Sequence, residues 1–386
     1  MNAPDSTPMK AAATAPDARG ATGKAADARQ RAALADYCAR IGADPLLVQG
    51  AGGNASWKDG ATLWVKASGT WLAEARRRDI FVPVDLEHLR AAAAAGQLGV
   101  APRPLGDSGL RPSIETLLHA LMPQPVVLHL HAVELLAQLV RPGFAERLRA
   151  LEDAGQGAAG PLPPWLALAY HMPGLPLARA VAEGLRRQPD TQIVFLQNHG
   201  VVIGAAGAGA VDAILRRLLR LCATPPRPPV PVPVPAPVAV DMDAPAPALA
   251  PPRASDGRPM APVPDDCVQQ LALDPQLFER LARDWAICPD HVVFLGAAPR
   301  RHDSSADFHA AQAACRHAPW PELLFIRAAG VFMADGFSAA KLAQLRCYYD
   351  VLARQDEHRP LTVLDQAQLA ELLDWDAEKY RLALSP

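Results

Sequence analysis

The sequence VVLHLHAVELLAQLV at residues 126–140 decides the fold class, because a β-branched strand runs directly into an apolar helix. His129 and His131 lie two apart on the predicted strand, so their imidazoles project from the same face of a sheet. This geometry suits two nitrogen ligands of one metal ion. A pair of hydrogen-bonded core histidines is the alternative interpretation.

Strands and helices alternate on either side of this stretch. SWKDGATLWVKASG at 56–69 predicts a hairpin with its turn at Asp59-Gly60, and SIETLLHALM at 113–122 predicts a helix capped by Ser113. TQIVFLQNHGVVIG at 191–204 predicts strand, tight turn and strand. The pattern indicates an α/β fold, and the predicted hairpins argue against an all-parallel sheet, because a hairpin pairs its strands antiparallel.

Composition divides the 386 residues into four parts. Residues 1–28 lack apolar periodicity and are predicted to form a disordered tail, and a helix is expected from Arg29 to about Ile41. Residues 29–224 form the main domain. Residues 225–264 are rich in proline, which removes amide donors and favours an extended linker. Residues 265–386 form a C-terminal accessory α/β region.

Charge and cysteine content exclude several function classes. The 38 Lys and Arg residues against 40 Asp and Glu residues give a net charge of -2, which argues against nucleic-acid and membrane partners. The six cysteines include no CxxC pair, as expected for reduced thiols. Because no signal peptide or membrane span is evident either, the expected location is cytoplasmic.

A weak internal repeat crosses the linker. IVFLQNHGVVIG from Ile193 is similar to LLFIRAAGVFMA from Leu323, and a helical pattern follows each. In this alignment Ala329 takes the place of His199. The C-terminal region is thus either a reduced copy of one supersecondary unit or an unrelated strand–turn–strand.

Further polar residues complete a candidate site. His199, in the turn Gln197-Asn198-His199-Gly200, is a third possible metal ligand, although such a turn is often only a turn. Glu115 near a helix start is either a proton-transfer group or a surface residue that complements the helix dipole. The glycine-rich loop at 50–56, joined by Ser68-Gly69 and Ser113, could bind an anion.

In their order along the chain, these motifs resemble the class II aldolase/adducin family. The likeness spans roughly residues 35–222 and is carried by GGNAS, VKASG, RPSIETLLHALMP, VVLHLHAVE and FLQNHGVVIG. It is strongest to the aldolase part of bifunctional rhamnulose-phosphate aldolase/alcohol dehydrogenases. CPDHVVF and LLDWDAEKYR resemble the segment that precedes the dehydrogenase in those proteins, but no GxGxxG motif follows.

The resemblance implies a role for each candidate residue. The implied zinc ligands are His129, His131 and His199, and the implied catalytic residues are Glu115 and Tyr170, the latter in AYHMPG. The implied phosphate-binding residues are Gly53, Asn54, Ser68, Gly69 and Ser113. Ile114 stands where the phosphate aldolases often have a second serine, which removes one hydroxyl donor. Tyr170 could equally be an ordinary half-buried aromatic residue.

The resemblance also implies a fold and an activity. The fold is a three-layer class II aldolase-like one, with a central, mainly antiparallel sheet flanked by helices, plus a smaller C-terminal α/β extension. The implied activity is metal-dependent cleavage of a ketose 1-phosphate into dihydroxyacetone phosphate and a short aldehyde, by a homotetramer. A sugar-phosphate epimerase of the same fold and a non-catalytic, adducin-like module are the alternatives, and the proline-rich linker could bind a polyproline-recognising partner. His291 in CPDH is expected at the surface.

Overall fold

A computed structural model describes residues 18–155, 160–231, 252–315, 320–356 and 358–376, with side chains from Arg29 onward. Its centre is one seven-stranded sheet. The strands are β1 (Asn54–Asp59), β2 (Thr62–Lys66), β3 (Phe81–Asp85), β4 (Val126–Leu130), β5 (Trp165–Leu168), β6 (Ile193–Leu196) and β7 (Gly200–Ala205). Their order is β3-β2-β1-β4-β7-β6-β5, and all neighbours are antiparallel except β5 and β6. The prediction of a mainly antiparallel central sheet is confirmed.

Helices cover both faces of this sheet. They are α1 (Ala18–Gly42), α2 (Leu86–Ala94), α3 (Thr116–Leu121), α4 (Val133–Leu139), α5 (Phe144–Gly155), α6 (Leu175–Arg187) and α7 (Ala208–Cys222), with a 3-10 turn at Leu72–Glu74. Side chains of α1, α4, α5 and α7 share one buried apolar cluster on one face. Those of α2, α3 and α6 pack in two clusters on the other. The sheet and the two helical layers on its faces therefore form the predicted three-layer arrangement.

Strand alternation on β4 determines where its histidines point. Leu128 belongs to the cluster on the α1 and α7 face, whereas Val127 belongs to the cluster on the α3 and α6 face. Because alternate side chains share a face, His129 lies on the same face as Val127. The site is therefore built between the sheet and the α3 and α6 layer.

The C-terminal region contains a second, smaller sheet, as predicted. Its strands are β8 (Ala261–Pro262), β9 (Arg301–His302), β10 (Leu323–Ile326) and β11 (Gly330–Met333), in the order β8-β11-β10-β9. Its helices are α8 (Asp266–Leu273), α9 (Pro275–Arg283), α10 (Pro289–Leu295), α11 (Ser305–Ala314), α12 (Ala339–Leu352) and α13 (Gln366–Asp374). Val133 and Leu136 of α4 share an apolar cluster with Val268 and Leu271 of α8, so this region packs against the main sheet's helical layer.

The internal repeat recurs as local geometry. Asn198 and Ala328, at matching positions of the two turns, have φ values of 56° and 57°. The next residue's amide donates to the last strand residue in both turns, at 3.1 Å from His199 to Leu196 and 3.0 Å from Ala329 to Ile326. The two units therefore share a strand–turn–strand conformation, but only the first carries a histidine at the turn.

Two predicted boundaries differ from the structure. Helix α1 begins at Ala18 rather than Arg29, although residues 18–28 lack apolar periodicity and contain Gly20 and Gly23; residues 1–17 lie outside the described residues. Helix α3 begins at Thr116 with Glu115 as its N-cap residue, and Ser113 lies in the preceding turn, where its Oγ accepts from the Glu115 amide at 3.2 Å.

The predicted linker is only partly described. Residues 232–251, the middle of the expected polyproline segment, lie outside the described residues. The two flanks pack against the C-terminal region: the amide of Arg227 donates to Ala353 at 2.7 Å, and β8 joins β11. The division of the chain at 225–264 stays a prediction. Among the described residues, no helix has the length and apolar character that crossing a membrane requires.

Candidate metal centre and active site

Three buried histidines meet at the centre of the main sheet. His129 lies on β4, His131 directly follows it, and His199 lies in the turn between β6 and β7. One ligand nitrogen from each ring lies within 4.8 Å of the other two. The ring centroids are 4.9 to 5.0 Å apart. The structure therefore brings together the three residues that spacing and resemblance singled out.

Two glycines allow this close approach of backbone segments. Gly53 has a φ of 67°, and a Cβ there would lie 3.0 Å from the carbonyl oxygen of His129. A Cβ on Gly200 would collide with the carbonyl oxygen of Leu130. A side chain at either position would push the glycine-rich loop or β7 away from β4, and with it the histidines.

The donor set fits a divalent metal ion. His129 Nδ1 lies 3.1 Å from the carbonyl oxygen of Val201 and must carry the proton there, which leaves a lone pair on Nε2. That Nε2 lies 3.1 Å from Nε2 of His131. Burial lowers the pKa of His129, so the ring stays neutral and able to coordinate. Neutral imidazoles with one nitrogen anchored by hydrogen bonding are the usual ligands of a catalytic metal.

Glu115 lies beside two of the three imidazoles. Its Oε2 is 3.5 Å from His129 Nε2, and its Oε1 is 3.5 Å from His199 Nε2. The amide Nδ2 of Asn54, which is paired with His129 across β1 and β4, donates to Oε2 at 2.7 Å. The carboxylate is only 7% exposed, so the alternative of a solvent-facing helix-dipole residue is wrong. It is placed either to transfer a proton or to complete the metal's ligand set.

The predicted anion-binding residues line the same cavity as His131 and His199, two of the three metal-ligand candidates. The cavity is lined by Ala51, Gly52, Gly53, Asn54, Lys66, Ser68, Gly69, Ser113, Ile114, Glu115, His131, Pro173, His199 and Asp290. Its volume is about 20 Å³, room for about one water molecule. A surface pocket of about 500 Å³ adjoins it and shares Ser68 and Gly69.

Lys66 is a site residue that the sequence reasoning missed. Its side chain is 1% exposed, and Nζ donates to the carbonyl oxygens of Ala51 at 3.0 Å and Ala67 at 3.4 Å. A lysine at the end of an apolar strand, directly before Ser68-Gly69, was the available signal. Burying an ammonium group is costly unless an anion or several acceptors compensate, so its position in this cavity suits an anionic ligand.

Tyr170 lies elsewhere. It is partly buried against an apolar cluster that includes Phe294 and Leu364, and it is absent from the residues that line the cavity. Within one chain, the structure therefore does not place the Tyr170 hydroxyl with Glu115 and the histidines.

Asp290 and His291 bring the C-terminal region to the site. Asp290 lies on α10 and is 3% exposed, with Oδ2 3.2 Å from His131 Nδ1. The expectation that His291 is a surface residue is wrong: the ring is 2% exposed and packs edge-on against Tyr348, with centroids 5.6 Å apart. The reason is that α10 packs against α12, which places both faces of α10 in the interior.

His291→Leu is expected to reduce the acid sensitivity of folding. Neither ring nitrogen of His291 has a hydrogen-bond partner among the described residues, and burial lowers its pKa to about 3. Below pH 6.5 the unfolded chain binds a proton that the folded chain does not, so stability falls as pH falls, by about 1.4 kcal/mol per pH unit until about pH 3.

Urea unfolding at pH 7.5 and pH 5 measures this effect. The wild-type chain should lose about 2 kcal/mol more than His291→Leu between these two values. His88→Leu, on the half-buried part of α2, is the matched control and should behave like the wild type. Equal losses in wild type and His291→Leu would show that His291 is solvated or paired in the folded protein.

Comparison with known proteins identifies the main domain. The family model described as "Class II Aldolase and Adducin N-terminal domain" matches residues 32–221. The "Uncharacterized oxidoreductase YuxG" of Bacillus subtilis (strain 168) is 27% identical over 178 residues, which are 42% of this chain. They are 24% of YuxG, so the match spans about a quarter of that relative.

Solved structures that are similar to part of this chain include the three that follow. The N-terminal class II aldolase domain of a conserved Thermoplasma acidophilum protein is 25% identical, with 48% of this chain and 89% of that chain covered and a TM-score of 0.39. YgbL of Klebsiella pneumoniae, a putative aldolase/epimerase/decarboxylase, is 20% identical, with 50% of this chain and 86% of that chain covered and a TM-score of 0.36. L-fuculose-1-phosphate aldolase of Thermus thermophilus is 20% identical, with 50% of this chain and 93% of that chain covered and a TM-score of 0.34. On the family match, the domain at residues 32–221 belongs to the class II aldolase and adducin family.

Proposed function

We propose that the protein is a metal-dependent class II aldolase, a carbon–carbon lyase of carbohydrate metabolism. Its substrate would be a ketose 1-phosphate of the rhamnulose or fuculose type, cleaved to dihydroxyacetone phosphate and a short aldehyde. The observation that carries the proposal is the buried trio of imidazoles with Glu115 within 3.5 Å of two of them. Family membership supports this chemistry without defining the sugar.

His129, His131 and His199 would hold the metal ion. Three imidazoles suit zinc and also other divalent transition metals, so zinc is the proposed but not the unique choice. When bound, the ion supplies Lewis-acid polarisation of the substrate carbonyl. Charge balance supports a cation here, because the cavity contains two carboxylates, Glu115 and Asp290, against the single ammonium of Lys66.

Glu115 would move the proton at the reacting carbon. Its carboxylate is anchored by Asn54, which leaves Oε1 directed at the histidine side of the cavity. When the C3–C4 bond of the ketose breaks, C3 gains a proton and the hydroxyl on C4 loses one. Glu115 would deliver the first. Tyr170 of a neighbouring subunit would handle the second in a homotetramer, once its hydroxyl, which is buried in its own chain, is released.

The phosphate group would bind where Lys66 faces Ser68, Gly69 and Ser113, with Gly53 and Asn54 alongside. Binding a part of the substrate that does not react orients the part that does. The adjoining surface pocket at Ser68-Gly69 offers the route of approach.

Lys66→Met is expected to weaken substrate binding through the loss of the phosphate partner. A charge-assisted hydrogen bond contributes about 1.5–3 kcal/mol, so KM for a ketose 1-phosphate should rise roughly 10–100-fold. Lys58→Met is the matched control, because Lys58 lies on the adjacent strand and donates to Met122 and Gln124 outside the cavity. An equal rise in KM for both variants, or none for Lys66→Met, would contradict a phosphate-binding role for Lys66.

Metal analysis of the pure protein, alongside a retro-aldol assay on a panel of ketose 1-phosphates, tests the proposal as a whole. About one metal ion per chain and release of free aldehyde are expected. An epimer formed without free aldehyde would identify the epimerase alternative. A protein without metal and without turnover would leave the non-catalytic, adducin-like module. A cytoplasmic location and a polyproline-binding partner also stay predictions.

A further inference from the structure

The C-terminal region contributes a carboxylate to the metal-ligand cluster. Asp290 lies near the start of α10, outside residues 32–221 that match the family model. Its Oδ2 reaches Nδ1 of His131 at 3.2 Å, and both side chains are at least 95% buried. The contact joins a residue of the predicted accessory region to one of the three imidazoles.

The contact uses the side of the His131 ring that faces away from the other ligands. Nε2 of His131 lies 3.1 Å from Nε2 of His129, so this nitrogen faces the ligand cluster. Nδ1 makes no hydrogen bond of standard geometry within the described part of the chain. The distance to Asp290 is already that of a hydrogen bond, so only the angle has to change for Nδ1–H to donate to the carboxylate.

The position of Asp290 is itself held by its surroundings. Nε2 of Gln344, on α12, donates to Asp290 Oδ2 at 3.3 Å and to the carbonyl oxygen of Gln49 at 3.4 Å. Gln49 directly precedes the glycine-rich loop. One glutamine thus links α10, α12 and the loop that lines the cavity, which limits the rotation of the carboxylate.

We propose that Asp290 is a positioning residue that holds His131 with its proton on Nδ1 and its lone pair on Nε2. This inference rests on the proposed metal site and adds to it: the C-terminal region becomes part of the metal centre. The physical reason is charge. A carboxylate buried against a neutral ring is costly, whereas a ring bound to a cation is a stronger donor and offsets that cost. In metal sites, a carboxylate behind a histidine ligand fixes the ring and raises its basicity.

The test measures metal affinity in Asp290→Asn and Asp290→Ala. Zinc affinity by competition with a chromogenic chelator should fall about 10–100-fold in Asp290→Ala, with a smaller fall in Asp290→Asn, whose amide oxygen still accepts from Nδ1–H. The visible spectrum of the cobalt-substituted protein should shift in both variants, because His131 changes its donor strength or orientation. Circular dichroism checks folding; if Asp290→Ala does not fold, the isosteric Asp290→Asn decides alone.

Asp274→Asn is the matched control. Asp274 is 2% exposed, belongs to the same region and pairs with Arg227 at 3.2 Å, but it caps α9 rather than contacting a site histidine. Its zinc affinity and cobalt spectrum should equal those of the wild type. A folded Asp290→Asn with wild-type affinity and spectrum would overturn the inference, as would an equal loss in Asp274→Asn.

Failure of the inference and failure of the proposed function give different results. A wild-type protein that binds no zinc would refute both the metal site and the role of Asp290. Tight zinc binding that weakens in the Asp290 variants, without cleavage of any ketose 1-phosphate by the wild type, would uphold the inference and refute the aldolase proposal. Cleavage of a ketose 1-phosphate by the wild type, with a zinc affinity that does not change in the Asp290 variants, would uphold the aldolase proposal and refute the inference.

Discussion

His131→Ala is expected to abolish both metal binding and cleavage of a ketose 1-phosphate. The ring is one of three buried imidazoles whose ligand nitrogens lie within 4.8 Å of each other. Removing a ligand should weaken zinc binding by more than the roughly 100-fold that loss of a supporting partner can cause. Activity should then fall to background, since the proposed reaction depends on the ion. Metal content after gel filtration and aldehyde release measure the two effects.

Two controls make this result specific. His88→Ala removes a histidine of α2 that lies outside the cavity lining and should retain metal and activity. Added zinc at high concentration should restore part of the activity of His131→Ala if only affinity is lost. A folded His131→Ala protein that keeps its metal would show that the ligand assignment is wrong.

Glu115→Gln is expected to lower kcat about 10²–10⁴-fold, the usual contribution of a positioned acid or base. The amide has the shape of the carboxylate, and Asn54 can still donate to its oxygen, so the fold and KM should change little. Metal content should stay near that of the wild type, because the three imidazoles are intact. Steady-state kinetics and metal analysis of the same sample separate these effects.

The alternative role of Glu115 gives a different outcome. If the carboxylate completes the metal's ligand set, Glu115→Gln should lose metal and activity together, which would contradict a proton-transfer role. Glu152→Gln is the control for a change of charge, because Glu152 accepts from Trp165 Nε1 at 2.9 Å, outside the cavity. Its kcat should equal that of the wild type.

Much of the main sheet could be predicted from local sequence. The Asp59-Gly60 turn, the alternation that places His129 and His131 on one face, and the strand–turn–strand around His199 all depend on residues within a few positions of each other. The predicted start of α3 was early, because Ser113 accepts from the Glu115 amide in the turn that precedes the helix. The early start of α1 could not be predicted from apolar periodicity, which residues 18–28 lack.

Short-range physics thus determined, from the sequence alone, which residues face the same way and which segments form strands, helices and turns. The family resemblance then grouped the histidines with Glu115. Only the tertiary structure placed Lys66 and Asp290 in their cavity and moved Tyr170 out of it. Such contacts join segments that are far apart in the chain. They depend on how the layers pack together, which no local sequence pattern encodes.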